Sequence, residues 1–330
     1  MMQNSNFKEK YLRQIWLAAA VVFIGAELFV RAFPMPSFVN ANDILLDHHR
    51  NEIKNLRDGA IVFVGDSSLG NGVDAALLSS VLNVQAVNLA THGSWGTYAD
   101  YFIVKEIVDS GIKPGAVCIL HTTDQWNRGD IEMPILLARE FNMMSLKIAA
   151  FNVFEHLAMM RQSDIYSRFF MKFTDFSTAW IDLQKEIAIS KALPKLLEED
   201  HYVKQAERRD WERLEPRYNS PIFYVDERIN QYLNKTIKLC QAHNIPVYLG
   251  SGPVWDKKAK RMELYNKRLM QWMKNKCRAF DGCQMLYEAI PTYPGRFIGD
   301  SDDHLTDEGR KIFTRWVAGF LRNAGAASLK

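Results

Sequence analysis

The chain has 330 residues, 48% apolar and 24% charged, enough for one large core or two modest ones. A net charge of +3 is small for that length, so no polyanionic partner is implied and nucleic-acid binding is not expected. The basic run "KKAKR", residues 257–261, reads as a solvated helix face.

The first element is apolar. "IWLAAAVVFIGAELFV", residues 15–30, is broken only by Glu27. As a helix it spans about 24 Å, and Ala32 and Phe33 extend it toward the hydrocarbon thickness of a bilayer. Glu27 and Arg31, four apart, can pair on one face. Lys8, Lys10 and Arg13 precede the run, whereas only Arg31 follows it closely. That asymmetry predicts a cytoplasmic tail over residues 1–11 and a single transmembrane anchor over 12–33. Everything after it is then periplasmic or extracellular. A cleaved signal peptide and a buried core helix are the competing readings; "FVRAFPMP" offers no A-x-A cleavage pattern.

Residues 34–58 read as a proline-stiffened connector and a helix, with His48 and His49 on its solvated side. Then an alternation begins: strand 60–65, helix 73–82, strand 84–90, helix 96–111, strand 115–123. This rhythm predicts an α/β domain over 59–330 with a parallel sheet covered on both faces. It is interrupted over about 127–222 by Met-rich, aromatic and charged stretches, expected to form a helical insertion above the carboxyl ends of the strands. It resumes with helix 225–244, strand 245–253, helix 259–275, a short run at 282–290 and a final helix over 307–325. In that helix Ile312, Phe313, Trp316, Val317, Phe320 and Leu321 fall on one stripe. Thr306 suits the N-cap and Gly325 the exit. Of the four cysteines, Cys277 and Cys283 flank "CRAFDGC" and can close it as a disulfide in an oxidising compartment. Cys118 and Cys240 read as buried thiols. No spacing suggests a metal site.

One stretch carries the chemistry: "IVFVGDSSLGNGVD", residues 61–74, a strand running into two serines wrapped in glycines. A phosphate cradle is excluded. Gly65 and Gly70 have P-loop spacing, but Asn71 and Gly72 stand where Lys and Ser/Thr are needed. The dinucleotide pattern G-x-G-x-x-G fails too, so no cofactor is expected. Two readings remain: a tight bend of no chemical consequence, or a nucleophile turn, in which a serine at a helix start has backbone N–H groups near the developing oxyanion. A serine needs a base oriented by a carboxylate. Among eight histidines, His304 in "FIGDSDDHLTDEGR" stands out, with Asp300, Asp302 and Asp303 just upstream. A carboxylate two to four residues before a histidine in a turn, as Asp300 and Asp302 are, can reach Nδ1 and leave Nε2 for the serine proton.

These residues resemble the SGNH, or GDSL-type, hydrolases and acyltransferases. Gly65, Asp66 and Ser67 match the family's first block, and His304 stands where its last block places a histidine before the terminal helix. The resemblance implies a flavodoxin-like three-layer fold, Ser67 as nucleophile and His304 as base. The family's Asp-x-x-His spacing is not kept, because Ser301 stands three before His304. Asp302 is the expected partner and Asp300 the fallback. For the second block the expected oxyanion donor is the Gly93 N–H, with Gly96 as the other choice. For the third, Thr123-Asp124 stands where Asn-Asp belongs and Asn127 lies slightly further on, so the oxyanion hole is rebuilt or weakened.

The departures and the anchor look like a branch whose members work beside a membrane-bound O-acyltransferase, esterifying exopolysaccharides or teichoic acids. That resemblance implies such a partner and a polysaccharide or teichoic-acid-like acceptor. An ester hydrolase of glycans or lipids is one alternative; a non-catalytic assembly partner of the membrane acyltransferase is another. His92 and His121, at strand ends, read as packed or substrate-lining. Trp95 and Trp126 can stack on a sugar ring or fill the insertion's interface, and "GSGPVW", residues 250–255, reads as lining the cleft.

Overall fold

The computed structural model describes Gln14, Leu17 and Val21; residues 41–127 apart from His92 and Ser94; Asp210, Trp211, Arg213 and Leu214; and residues 222–325. In chain order the elements are α1 (Ala41–Lys54), β1 (Ile61–Gly65), α2 (Ser67–Gly70), α3 (Ala75–Leu82), β2 (Ala86–Asn88), α4 (Gly96–Asp109) and β3 (Ala116–His121). They continue with α5 (Glu227–Ala242), β4 (Val247–Ser251), β5 (Val254–Trp255), α6 (Asp256–Arg261), α7 (Glu263–Arg278), β6 (Cys283–Met285), β7 (Thr292–Tyr293) and α8 (Asp307–Asn323).

The "IVFV" run of β1 is β-branched or aromatic and wholly buried, as a strand covered on both faces requires. The main sheet is parallel throughout, in the order β2-β1-β3-β4-β6, the doubly wound order known from flavodoxin. Ile61 pairs with Ala86 on one side and Ala116 on the other; Val117 pairs with Val247, and Val247 with Cys283. Alternation along the strands divides the core in two. Val62, Val64, Val117, Ile119, Val247 and Leu249 pack with Ile103 and Ile107 of α4, Ile229, Leu233 and Ile237 of α5, and Leu269 of α7. Ile61, Phe63, Cys118 and Leu120 pack with Leu78 of α3 and Phe313, Val317 and Leu321 of α8 on the other face. At 25 cal/mol per Å², each of these leucines, valines and phenylalanines contributes roughly 1.5–3 kcal/mol on burial.

Local chemistry sets the ends. Asp74 caps α3 through Leu77 N–H at 2.8 Å, so the helix begins at Ala75 rather than at residue 73. Thr306 caps α8, and Gly325 follows its end with φ +75°, as expected. The stripe of α8 differs from expectation at its margins. Ile312 is exposed, and Trp316 lies at the edge against Tyr287 at 4.7 Å, because the buried arc runs through Arg310, Phe313, Thr314 and Val317. The helix expected over 259–275 is two, broken at Met262. His49 is buried, not solvated, and burial lowers its pKa to about 3.

One close approach and two strand pairings shape the surroundings of the site. A Cβ at Gly65 would lie 1.7 Å from the Leu120 carbonyl oxygen, so only glycine lets β1 end against β3 there. A small second sheet pairs β5 with β7, and an antiparallel bridge from Ile298 to Leu305 closes the loop carrying His304.

Of the N-terminal unit, residues 1–40, only Gln14, Leu17 and Val21 are described; each is helical and exposed. The anchor expected at 12–33 otherwise lies outside the described residues, as does most of the insertion expected at about 127–222. Among the described residues no helix is long and apolar enough to cross a membrane.

Candidate active site

Ser67 stands at the first position of α2, just past the carboxyl end of β1. Asp66 is the N-cap, in extended conformation, and accepts from Ser68 N–H at 2.9 Å. The first N–H groups of a helix have no intrahelical partner, so the Ser67 N–H is structurally available to an oxyanion. The serine pair has divided roles. Ser68 is fully buried, and its hydroxyl donates to Asp66 Oδ1 at 2.6 Å. A Cβ at Gly252 would lie 2.1 Å from Ser68 Oγ, so the β4–β5 loop presses directly on it. Ser67 is half-buried and faces the other way.

Ser67 Oγ lies 3.0 Å from His304 Nε2, across 237 residues of sequence. His304 Nδ1 lies 3.0 Å from Asp300 Oδ1. The orienting carboxylate is therefore Asp300, the fallback, and not Asp302. The loop explains the difference. Gly299 N–H donates to the His304 carbonyl and His304 N–H to the Ser301 carbonyl, so the chain doubles back over residues 301–303. That fold brings position i−4 beneath the imidazole and turns position i−2 away. Asp302 instead pairs with Lys258 Nζ at 2.9 Å, and its carbonyl accepts from Trp255 N–H. Asp303 accepts from Ser301 Oγ and lies 3.8 Å from His304 Nε2.

Burial opposes the His304 imidazolium. The hydrogen bond to Asp300 and the charges of Asp303, Asp300 and Asp66 outweigh it and raise the pKa above 6.5. Burial likewise opposes ionisation of Asp300, but the His304 bond and charge hold that carboxyl below its ordinary value. Lys258 corrects the reading of residues 257–261 as solvated: its side chain is 2% exposed. Burial alone would lower its pKa; Asp124, Asp302 and Asp303 raise it instead.

The other expected contributors sit nearby with different partners. Gly93 lies in a buried turn between β2 and α4. Thr123 is fully buried, with its carbonyl accepting from Tyr265 and its hydroxyl without a partner among the described residues. Asn127 closes a 3-10 turn after β3, and its carbonyl accepts from Tyr224. None of the three hydrogen-bonds to Ser67 or His304 among the described residues. Trp95 and Trp126 are buried and present no ring for a sugar to stack on, and Trp126 packs on Trp272 at 5.2 Å. Trp211, from the insertion, donates to the Gly299 carbonyl and packs on Trp255, so it braces the His304 loop. His92 lies outside the described residues. A groove of about 560 Å³ along α6 and α7, lined by Lys260, Glu263, Lys267 and Glu288, includes neither Ser67 nor His304.

Comparisons with known proteins place no family on this chain. No family model matches it, and no curated protein does. A solved structure from Desulfitobacterium hafniense DCB-2, assigned to the lipolytic G-D-S-L family, superposes with a TM-score of 0.38 at 11% identity. The match covers 80% of this chain and 100% of that one. A likeness of that size carries no argument about function.

Sequence reasoning missed a second polar cluster beneath the first. His121, at the end of β3, is fully buried between Asp66 and Asp100. The signal was legible. Asp100 precedes Ile103, Val104 and Ile107 at helical spacing on the apolar face of α4, where a carboxylate needs a buried partner.

Proposed function

We propose that this chain is an SGNH-like serine enzyme that moves O-acyl groups of a cell-surface or secreted polysaccharide. The carrying observation is the Ser67–His304–Asp300 chain of contacts, 3.0 Å at each link, at the carboxyl end of a parallel sheet. His304 takes the Ser67 proton at Nε2 as Oγ bonds to the acyl carbonyl carbon. The resulting oxyanion is held by the N–H groups of Ser67 and Gly93. His304 then gives its proton to the departing alkoxide oxygen, leaving an ester on Ser67. An acceptor hydroxyl, or water, attacks that ester with His304 again as base. Asp300 fixes the imidazole tautomer and stabilises its cation.

Residues 12–33 anchor the protein, with the N-terminus cytoplasmic and the enzyme domain periplasmic or extracellular, beside a membrane-bound O-acyltransferase. The apolar run and its flanking charges support that topology; the resemblance in motif supports the partner. A serine-reactive phosphonate is expected to label wild type and not Ser67→Ala. Failure to label a folded wild type would instead favour the non-catalytic assembly role, which the substituted third block also supports. Capture of the acyl group by an added glycan acceptor separates transfer from ester hydrolysis.

A further inference from the structure

The turn carrying Ser67 rests on a buried charge cluster that the proposed reaction does not use. His121 Nε2 lies 2.6 Å from Asp100 Oδ2, and His121 Nδ1 lies 3.5 Å from Asp66 Oδ2. All three side chains are at most 1% exposed. They come from three elements: the β1–α2 turn, α4 and the end of β3. Asp66 adds three further bonds, from Ser68 N–H, Ser68 Oγ and Thr122 N–H at 2.8–2.9 Å for the amides and 2.6 Å for the hydroxyl. Asp66 is thus at once the cap of α2, the lock on Ser68 and the anchor of the chain leaving β3. The Trp126 ring lies 5.3 Å from the His121 ring and nearly perpendicular to it, a contact that brings no charge.

We infer that His121 is a positioning residue: a buried imidazolium clamped between Asp66 and Asp100 that holds the Ser67 turn against the end of β3. The assignment rests on Ser67 being the nucleophile. Without a cation here, two carboxylates would share one dry space, and Asp66 could not keep its charge and its four partners together. With it, His121 meets a carboxylate on each side and the β1–α2 turn, α4 and the end of β3 are tied together, while burial raises the Asp100 pKa against the pull of His121. Burial works against a charged His121, but the charge and hydrogen bond of Asp100, with those of Asp66, raise its pKa to about 10. Burial also opposes ionisation of Asp66, yet His121, Ser68 and Thr122 lower it to about 2. The same third block that lacks the family's asparagine thus supplies the clamp, through His121 and Thr122.

Two measurements on the full chain decide this. In ¹⁵N-histidine-labelled protein, both His121 nitrogens are expected to stay protonated from about pH 6 to about pH 9, with a far-downfield proton on the bond to Asp100. A His121 with one bare nitrogen across that range overturns the inference. Asp100→Asn keeps an acceptor for Nε2–H but removes half of the clamp. Its maximal rate of phosphonate labelling at Ser67 is expected to fall about 10- to 100-fold with the half-saturating concentration unchanged, the mark of a misaimed nucleophile. His121→Gln is expected to fold poorly, and adding Asp100→Asn to it is expected to restore folding and part of the rate. Wild-type labelling kinetics in Asp100→Asn overturn the clamp alone. Absence of labelling in wild type overturns the nucleophile reading and the inference with it.

Discussion

A serine next to a serine is chemically ambiguous, and the difference between Ser67 and Ser68 is one of direction. Consecutive residues at a helix start diverge by about 100°, so one hydroxyl meets His304 while the other turns into the core. Ser68→Ala is therefore expected to keep phosphonate labelling and to lose about 1–3 kcal/mol of stability by leaving Asp66 short of a donor. Denaturant melts check it. The two aspartates of the His304 loop divide in the same manner. Asp300→Asn is expected to slow labelling by about 10³-fold, since the imidazole loses its tautomer and its counter-charge. It should also move the acid limb of the pH–rate profile downward. Asp300 contributes to holding the His304 pKa above 6.5, and a base works only when deprotonated, so activity is lost as pH falls through that raised value. Asp302→Asn, two residues away, is expected to leave the limb near its wild-type position. A profile in which Asp302→Asn moves the limb and Asp300→Asn does not would reverse the assignment.

At the scale of elements, the β1–α2 turn works because three constraints coincide: Gly65 permits the approach to Leu120, Asp66 caps α2, and His121 from β3 completes the ion cluster. This coupling has a pH signature. The depressed carboxyl of Asp66 contributes stability that is complete above its unfolded value near 3.8 and is lost as pH falls toward about 2. The raised His121 contributes fully below 6.5 and loses its contribution as pH rises through about 10. Buried His49, lowered to about 3, acts in the opposite sense to His121, costing stability progressively as pH drops below 6.5. Thermal melts are thus expected to decline on both sides of neutrality, and His49→Leu is expected to flatten the acid side between about pH 6 and about pH 4. Unchanged acid dependence in that variant would remove His49 from the account. The strands and long helices themselves were legible in the sequence from their periodicity, because burial of one face or both dictates the pattern. The short pieces were not. β5 and β7 pair with each other across distant parts of the chain, and Met262, at the break between α6 and α7, is buried in the core, which no local pattern records.

For the molecule as a whole, the doubly wound order brings the carboxyl ends of β1 and β3 and the loop before α8 to one place, so residues 237 apart in sequence meet. The proposed anchor belongs to this scale. Deleting residues 1–33 is expected to move the protein from the membrane fraction to the soluble one with labelling at Ser67 intact, by fractionation and phosphonate blotting; a truncated protein still bound to membranes would place its attachment elsewhere. The sequence by itself determined the strand–helix alternation, the serine turn ending β1 and the histidine before the last helix. Each is written in a few neighbouring residues whose spacing follows from helix and strand geometry. Only the tertiary structure decided which of three aspartates faces His304, which serine faces it, and that Lys258, Asp100 and His121 are buried as ion pairs. Charge pairing inside a protein depends on which segments exclude water together, and that is a property of the packed chain rather than of any stretch of it.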